Sequence, residues 1–237
     1  MSRNYQQRLT ELLAFDRSAL ANGGSPESSE GLQLKLFDRG YRLAVGVDEV
    51  GRGCLAGPVM AAAVVLPVMT PAIEESLLGL DDSKRLGVGV RTRLSGVLRS
   101  VAWYAFGQAS HHEIDRVNIL NASLLAMQRA VINLCRKYDL PVESTLVIVD
   151  GKKPLPDLPY CQLPVVAGDR HSAATAAASV VAKVERDSHM QFLSAAYPGY
   201  FFDKNKGYPS PVHIKSLGAL GTSPVHRLSF CRGLSGV

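Results

Sequence analysis

Several apolar runs in this chain end on carboxylates. Gly46-Val47-Asp48-Glu49-Val50-Gly51-Arg52-Gly53 closes one, Asp150-Gly151 follows Thr145–Val149, and Gly168-Asp169 follows Leu163–Val166. An unpaired buried carboxylate is strongly penalised, so acids held at strand ends need a reason other than stability. A hard divalent cation supplies one, because carboxylate oxygens are its natural donors. Asp48, Glu49, Asp150 and Asp169 together carry charge that balances two ions such as Mg²⁺ or Mn²⁺. Two such ions about 4 Å apart activate water and stabilise the leaving oxygen of a phosphodiester. Gly51-Arg52-Gly53 adds a cation and exposed backbone N–H groups that suit a phosphate. These residues point to metal-assisted chemistry on a phosphodiester.

Competing readings exist for each piece. Asp150-Gly151 or Gly168-Asp169 alone is an ordinary turn dipeptide; recurrence at several strand ends is harder to dismiss. Neighbouring strand residues face opposite sides, so Asp48 and Glu49 share an ion only if the strand bends, which Gly51 and Gly53 permit. Gly51-x-Gly53-x-x-x-Gly57 has the look of a dinucleotide loop, but such a loop opens a helix, whereas Pro58 and the β-rich Val59–Leu66 follow here. His111-His112-Glu113 lacks the i, i+4 spacing of a helical zinc site and reads as a solvated loop. Ser172, Ser179 and the alanines 173–178 read as close helix packing.

The elements that must position these residues alternate. Leu43–Val50, Val59–Leu66, Val101–Gln108, Thr145–Val149 and Leu163–Val166 read as strands. Asn121–Lys137 reads as a helix with Asn121 as its cap, and Ser172–Leu193 as a long helix with a small-residue face. Interleaved strands and helices indicate an α/β layered fold, where sites gather at strand ends. Tyr5–Leu20 reads as a short helix and Gly23–Gly31 as a flexible linker, so residues 1–40 form a leader and residues 41–237 the catalytic body.

At 237 residues the chain suits one large domain, and its 46% hydrophobic and 20% charged content is ordinary for a soluble globular protein. A net charge of +5 mildly favours a polyanionic partner. The four cysteines form no C-x-x-C pair, which argues against a zinc knuckle or disulfide framework and for a reducing cytoplasm. The longest apolar run, residues 59–69, contains Pro67 and is too short to span a bilayer, so no membrane partner is expected.

From about Arg42 to Phe230 the chain resembles the type 2 ribonuclease H family, ribonuclease HII. The segments that carry the resemblance are residues 46–53, Asp82-Ser83-Lys84, 113–120, 126–130, 149–151, Gly168-Asp169, 176–187, Lys206-Gly207-Tyr208-Pro209 and His226-Arg227-Leu228-Ser229-Phe230. So many motifs in order are highly specific. The resemblance implies a ribonuclease H-like mixed β-sheet flanked by helices, with a small C-terminal helical region. It implies a monomeric metal-dependent endonuclease that cleaves RNA in RNA–DNA hybrids. It also implies incision 5′ of ribonucleotides embedded in duplex DNA, leaving 3′-hydroxyl and 5′-phosphate ends, as in ribonucleotide excision repair. The family's metal-binding carboxylates fall on Asp48, Glu49, Asp150 and Asp169. Its 2′-hydroxyl-reading motif falls on Gly51, Arg52 and Gly53, its junction tyrosine on Tyr208, and its backbone-binding lysines on Lys84 and Lys183. Where the family commonly has Lys-Gly-Asp, this chain has Ala167-Gly168-Asp169, one charge fewer. Asp187 matches the family too and reads as structural. A different metal-dependent phosphodiesterase on a similar fold would not need the Gly-Arg-Gly turn and Tyr208. A non-enzymatic nucleic-acid binder would not need clustered acids.

Gln33-Leu34-Lys35-Leu36-Phe37 resembles the peptide by which bacterial replication and repair proteins dock on the sliding clamp. Ordinary packing of Leu34, Leu36 and Phe37 on the body is the competing reading, and five-residue motifs arise readily by chance.

Overall fold

The computed structural model describes residues 2–21 and 41–234. It contains α1 (Ser2–Ala21), β1 (Leu43–Val50), β2 (Val59–Val65), α2 (Pro71–Ser76), α3 (Val88–Val101) and β3 (Trp103–Ala109). These are followed by α4 (His111–Tyr138), β4 (Thr145–Asp150), β5 (Cys161–Val165), α5 (Ala173–Ala196), α6 (Phe202–Asn205), α7 (Pro211–Leu220) and α8 (Leu228–Cys231). The sheet order is β3-β2-β1-β4-β5. The β1–β2 and β2–β3 pairs are antiparallel, whereas β1–β4 and β4–β5 are parallel. The mixed sheet with flanking helices is the ribonuclease H-like architecture expected from the sequence, and α6–α8 form the small C-terminal helical part.

Alternation along the strands sorts the core. Val45, Val47, Val59, Ala61, Ala63, Val147 and Val149 pack against α4. Ala62 and Val64 face the other way, against α1, α3 and the alanine-rich start of α5. Contact there is so close that a Cβ on Gly46 would overlap the Ala174–Thr175 backbone, which fixes where α5 crosses β1. Leu9, Leu12 and Leu13 of α1 are buried in the same cluster. Asp16 of α1 accepts a hydrogen bond from Ala174 N at 2.9 Å, so the N-terminal helix is tied to the start of α5.

Element boundaries differ from the sequence reading at α4 and at β3. The helix expected over Asn121–Lys137 begins at His111, and Asn121 does not cap it. Ser110 and Glu113 form a capping box, so His111-His112-Glu113 is a helix start and not a solvated loop. Asn118 then breaks the helix at φ 66, and its Oδ1 accepts from Asn121 N at 3.1 Å, restarting it. The expected strand Val101–Gln108 shifts to Trp103–Ala109 because α3 runs through Val101. Residues 33–37, with their resemblance to a clamp-docking peptide, lie outside the described residues.

Candidate active site

The β1–β2 ladder stays intact through Val50↔Met60, while the β1–β4 ladder stops at Val47↔Val149. Asp48, Glu49 and Asp150 therefore sit where the central parallel pair opens. No bend in β1 is needed to gather them. Asp48 folds back so that its Oδ1 accepts from Glu49 N at 2.7 Å. Oxygen atoms of Asp48, Glu49 and Asp150 all lie within 4.8 Å of one another. Among the described residues this is the one such group of His, Cys, Asp and Glu side chains; His111 and His112 are not part of one.

Asp150 is anchored by Gly168, whose N–H donates to its Oδ1 at 2.6 Å. The same turn carries Asp169, a buried acid placed beside the triad rather than within it. Ala167 holds the left-handed corner of this turn at φ 54. Asp169 also faces Asp82, whose carboxylate accepts from Arg170 (3.3 Å) and from Lys84 N (2.9 Å). Arg8 of α1 braces this corner, donating to Asp81 Oδ1 at 2.9 Å and to Arg170 O at 2.8 Å.

The electrostatics are those of a site lacking positive charge. Burial, then repulsion from Glu49 and Asp150, pushes Asp48 well above the usual carboxylate range. Burial raises Glu49 against the opposing pull of Arg52, which pairs with it at 3.0 Å. Burial, Asp150 and Asp82 raise Asp169 to about 6. An all-oxygen donor set whose members repel one another fits a hard divalent cation.

Beside the acids, a cavity of about 270 Å³ is lined by Arg52, Gly53, Lys84, Lys183 and Tyr208. Lys183 Nζ lies 5.9 Å from the centre of the Tyr208 ring and pairs with Asp187 at 2.6 Å. Of the residues singled out from the sequence, Glu49, Gly51, Arg52, Gly53, Lys84, Lys183 and Tyr208 line this cavity, and Asp48, Asp150 and Asp169 do not. On the other side of the acids, Leu120, Leu124, Met127, Lys152 and Lys153 line a second cavity of about 410 Å³.

Three contributors escaped the sequence reading. Ser179, taken for helix packing, shares a hydrogen bond of 2.9 Å with Ser83 and presents its hydroxyl to Asp48. Arg186 and Arg227 are fully buried and donate to backbone carbonyls. Arg186 reaches Lys206 O (2.8 Å) and Ala56 O (3.3 Å). Arg227 reaches Gly57 O (2.9 Å), Arg52 O (2.9 Å) and Gly51 O (2.8 Å). Gly51, at φ +92, packs directly on the Arg186 side chain, where a Cβ would collide. Hydropathy places arginine outside, so only the motif neighbours of Arg186 and Arg227 hinted at such roles.

The sheet and its acid cluster define a ribonuclease H-like, metal-dependent nuclease, and sequence comparison narrows the class. A profile described as Ribonuclease HII matches residues 45–233. Ribonuclease HII of Zymomonas mobilis is 46% identical over 209 residues, covering 87% of this chain and 94% of that protein. Ribonuclease HII of Trichodesmium erythraeum is 48% identical over 190 residues, covering 79% and 86%. The chain belongs to the ribonuclease HII family and is a type 2 ribonuclease H, an endonuclease acting on RNA–DNA hybrids.

Solved structures share the fold. The ribonuclease H2 of Pyrococcus horikoshii matches with a TM-score of 0.59 at 23% identity, covering 79% of this chain and 93% of that one. A PCNA:RNase HII complex from Archaeoglobus fulgidus matches at 0.62 and 20% identity, covering 79% and 94%. Bst-RNase HIII in complex with Mn²⁺ matches at 0.58 and 22%, covering 83% and 69%. Among the described residues no helix is long and apolar enough to cross a membrane.

Proposed function

We propose that this ribonuclease H also incises duplex DNA on the 5′ side of an embedded ribonucleotide, leaving 3′-hydroxyl and 5′-phosphate ends, the first step of ribonucleotide removal. The observation that carries this reading is the cavity that joins Glu49 to Gly51–Gly53, Lys84, Lys183 and Tyr208. The 2′-hydroxyl is the group that tells RNA from DNA. In this reading the backbone and side chain of the Gly51-Arg52-Gly53 turn meet that hydroxyl. Tyr208, exposed at the rim beside Gly53, stacks on the deoxyribose that follows. Lys84 and Lys183 take the flanking phosphates. One ribose followed by one deoxyribose is therefore sufficient for this rim, and a run of RNA is not required.

Asp48, Glu49 and Asp150 would hold the metal ion, Mg²⁺ or Mn²⁺, and Asp169 would complete the site. The bound metal supplies an activated water and charge stabilisation at the leaving oxygen. The chain's own groups orient the carboxylates: Ser179 and Glu49 N–H hold Asp48, Gly168 N–H holds Asp150, and Arg52 balances Glu49.

The test is product mapping on three matched duplexes with Mg²⁺ or Mn²⁺: an RNA–DNA hybrid, DNA with one ribonucleotide, and all-deoxy DNA. Cleavage of the first two and a single cut 5′ of the ribonucleotide is expected. Cleavage of the hybrid alone would contradict the reading.

A further inference from the structure

His226 and Arg227 are consecutive, both are buried, and neither touches the acid cluster. Each is the end of a hydrogen-bond path to one half of the substrate-facing rim. The direction of the first path is fixed by its start. Ser223 N–H donates to His226 Nδ1 at 2.9 Å, so Nδ1 is an acceptor and the ring proton sits on Nε2. His226 Nε2 lies 3.0 Å from His213 Nε2, so His226 donates and His213 accepts. The His213 proton is thereby on Nδ1, which donates to Tyr208 O at 2.8 Å. Changing one tautomer alone would set two protons, or none, between the facing nitrogens, and changing both would oppose Ser223 N–H with a second proton and turn a lone pair toward Tyr208 O. Burial keeps both rings neutral, as this relay requires.

The second path runs the other way from the same dipeptide. The Arg227 guanidinium donates to Gly51 O and Arg52 O, and its main-chain N–H donates to Leu55 O at 2.8 Å. Leu55 N–H in turn donates to Gly207 O at 2.7 Å, next to Tyr208. The Gly51–Gly53 turn and Tyr208 belong to segments about 150 residues apart in sequence. Arg186 also bridges them, packing on Gly51 and donating to Lys206 O, and the dipeptide adds both paths from one place, held between Ala56 and the His213 ring.

We propose that His226 and Arg227 are a positioning element of the junction reader: together with Arg186 they set the spacing between Tyr208 and the Gly51–Gly53 turn, and through it substrate choice, without touching substrate. The inference rests on the reading of those two segments as the reader. A misplacement of about 1 Å in such a pair costs up to about 100-fold in rate. The cost falls on the substrate with one register, the single ribonucleotide, and much less on a continuous hybrid, which offers many.

The experiment measures kcat and KM on both substrates for wild type, His226→Leu, His226→Gln and His226→Asn, with Mn²⁺ binding by calorimetry alongside. Gln places an N–H near the position of Nε2; Asn is too short to reach His213. His226→Leu and His226→Asn should lower the ratio of kcat/KM on single-ribonucleotide duplex to that on hybrid by about 10-fold or more. His226→Gln should retain the ratio, and Mn²⁺ affinity should stay at the wild-type value in every folded variant. An unchanged ratio in His226→Asn, or equal losses in His226→Asn and His226→Gln, would overturn the proposal. Tyr208→Ala separates the two levels. If it leaves the ratio unchanged, the reader itself is misassigned; if it lowers the ratio while His226→Asn does not, the positioning role alone fails.

Discussion

At the acid cluster, burial and mutual repulsion raise Asp48, Glu49 and Asp169, and the nearest relief is one exposed arginine on Glu49. A few residues further along, around Gly51–Gly53 and Tyr208, polar groups just as deeply buried have partners. Every guanidinium nitrogen of Arg186 and Arg227 donates to a backbone carbonyl, and the His213–His226 pair has a defined proton on each hydrogen bond. The first region is incomplete without a cation; the second is complete in itself. Chemistry that a metal supplies can be left to the metal, whereas the rim, on the proposed reading the part that meets the 2′-hydroxyl, must not yield.

The comparison breaks or sharpens under substitution. Asp48→Asn, Glu49→Gln and Asp150→Asn should each cost on the order of 10³-fold or more in cleavage rate, while thermal stability in chelator holds or rises because a repelled charge is gone. Rate assays beside melting curves check both halves of that statement. Arg227→Ala should do the reverse in emphasis. It removes the guanidinium donor from the Arg52 and Gly57 carbonyls, leaves Gly51 O only the long bond from Cys54 N–H, and should cost about 3 kcal/mol of stability, read from denaturant midpoints. A cost no larger than that of a surface change would erase the contrast. Tyr208→Ala, which removes an exposed ring, should cost roughly 1–3 kcal/mol of transition-state binding on the single-ribonucleotide duplex and leave the fold intact.

The smallest effect is on pH dependence, and the two regions should differ in sign. Asp169 is raised from 3.8 to about 6, so its favourable contribution is full below pH 3.8 and is lost as pH rises through about 6. In chelator, Asp169→Asn should abolish that loss, and Mg²⁺ should offset it in wild type. His226 is lowered from 6.5 to about 4, so its contribution is present above pH 6.5 and is lost as pH falls through about 4. His226→Gln should flatten this acid limb. Melting temperatures across pH 4–8 check both.

The strands and the acids at their ends were legible because they are local: an apolar run stops, an acid follows, and glycine turns the chain. The gathering of Asp48 and Glu49 at one edge was not, since alternation along a strand argues against it and only the ladder's end at Val47↔Val149 permits it. The start of α4 was hidden because His111–Val117 lacks a sustained apolar period, although Ser110-x-x-Glu113 is a readable cap. Ser179 was lost in a stripe of alanines. Arg186 and Arg227 were lost for a deeper reason: sequence-level hydropathy puts arginine in water, and what holds these two inside is carbonyl oxygens distant in sequence. The N-terminal helix showed its apolar side, Leu9, Leu12 and Leu13, but not what it would cover.

The claim that Asp48, Glu49 and Asp150 form the metal-dependent centre is tested most directly by Mn²⁺ titration of wild type and Asp150→Asn, with cleavage of an RNA–DNA hybrid followed in the same samples. Wild type should bind Mn²⁺ and cleave in proportion to occupancy, falling to background in chelator. Asp150→Asn should bind much more weakly and cleave on the order of 10³-fold more slowly even at high Mn²⁺. Cleavage by Asp150→Asn near the wild-type rate, or wild-type cleavage that persists in chelator, would contradict the account.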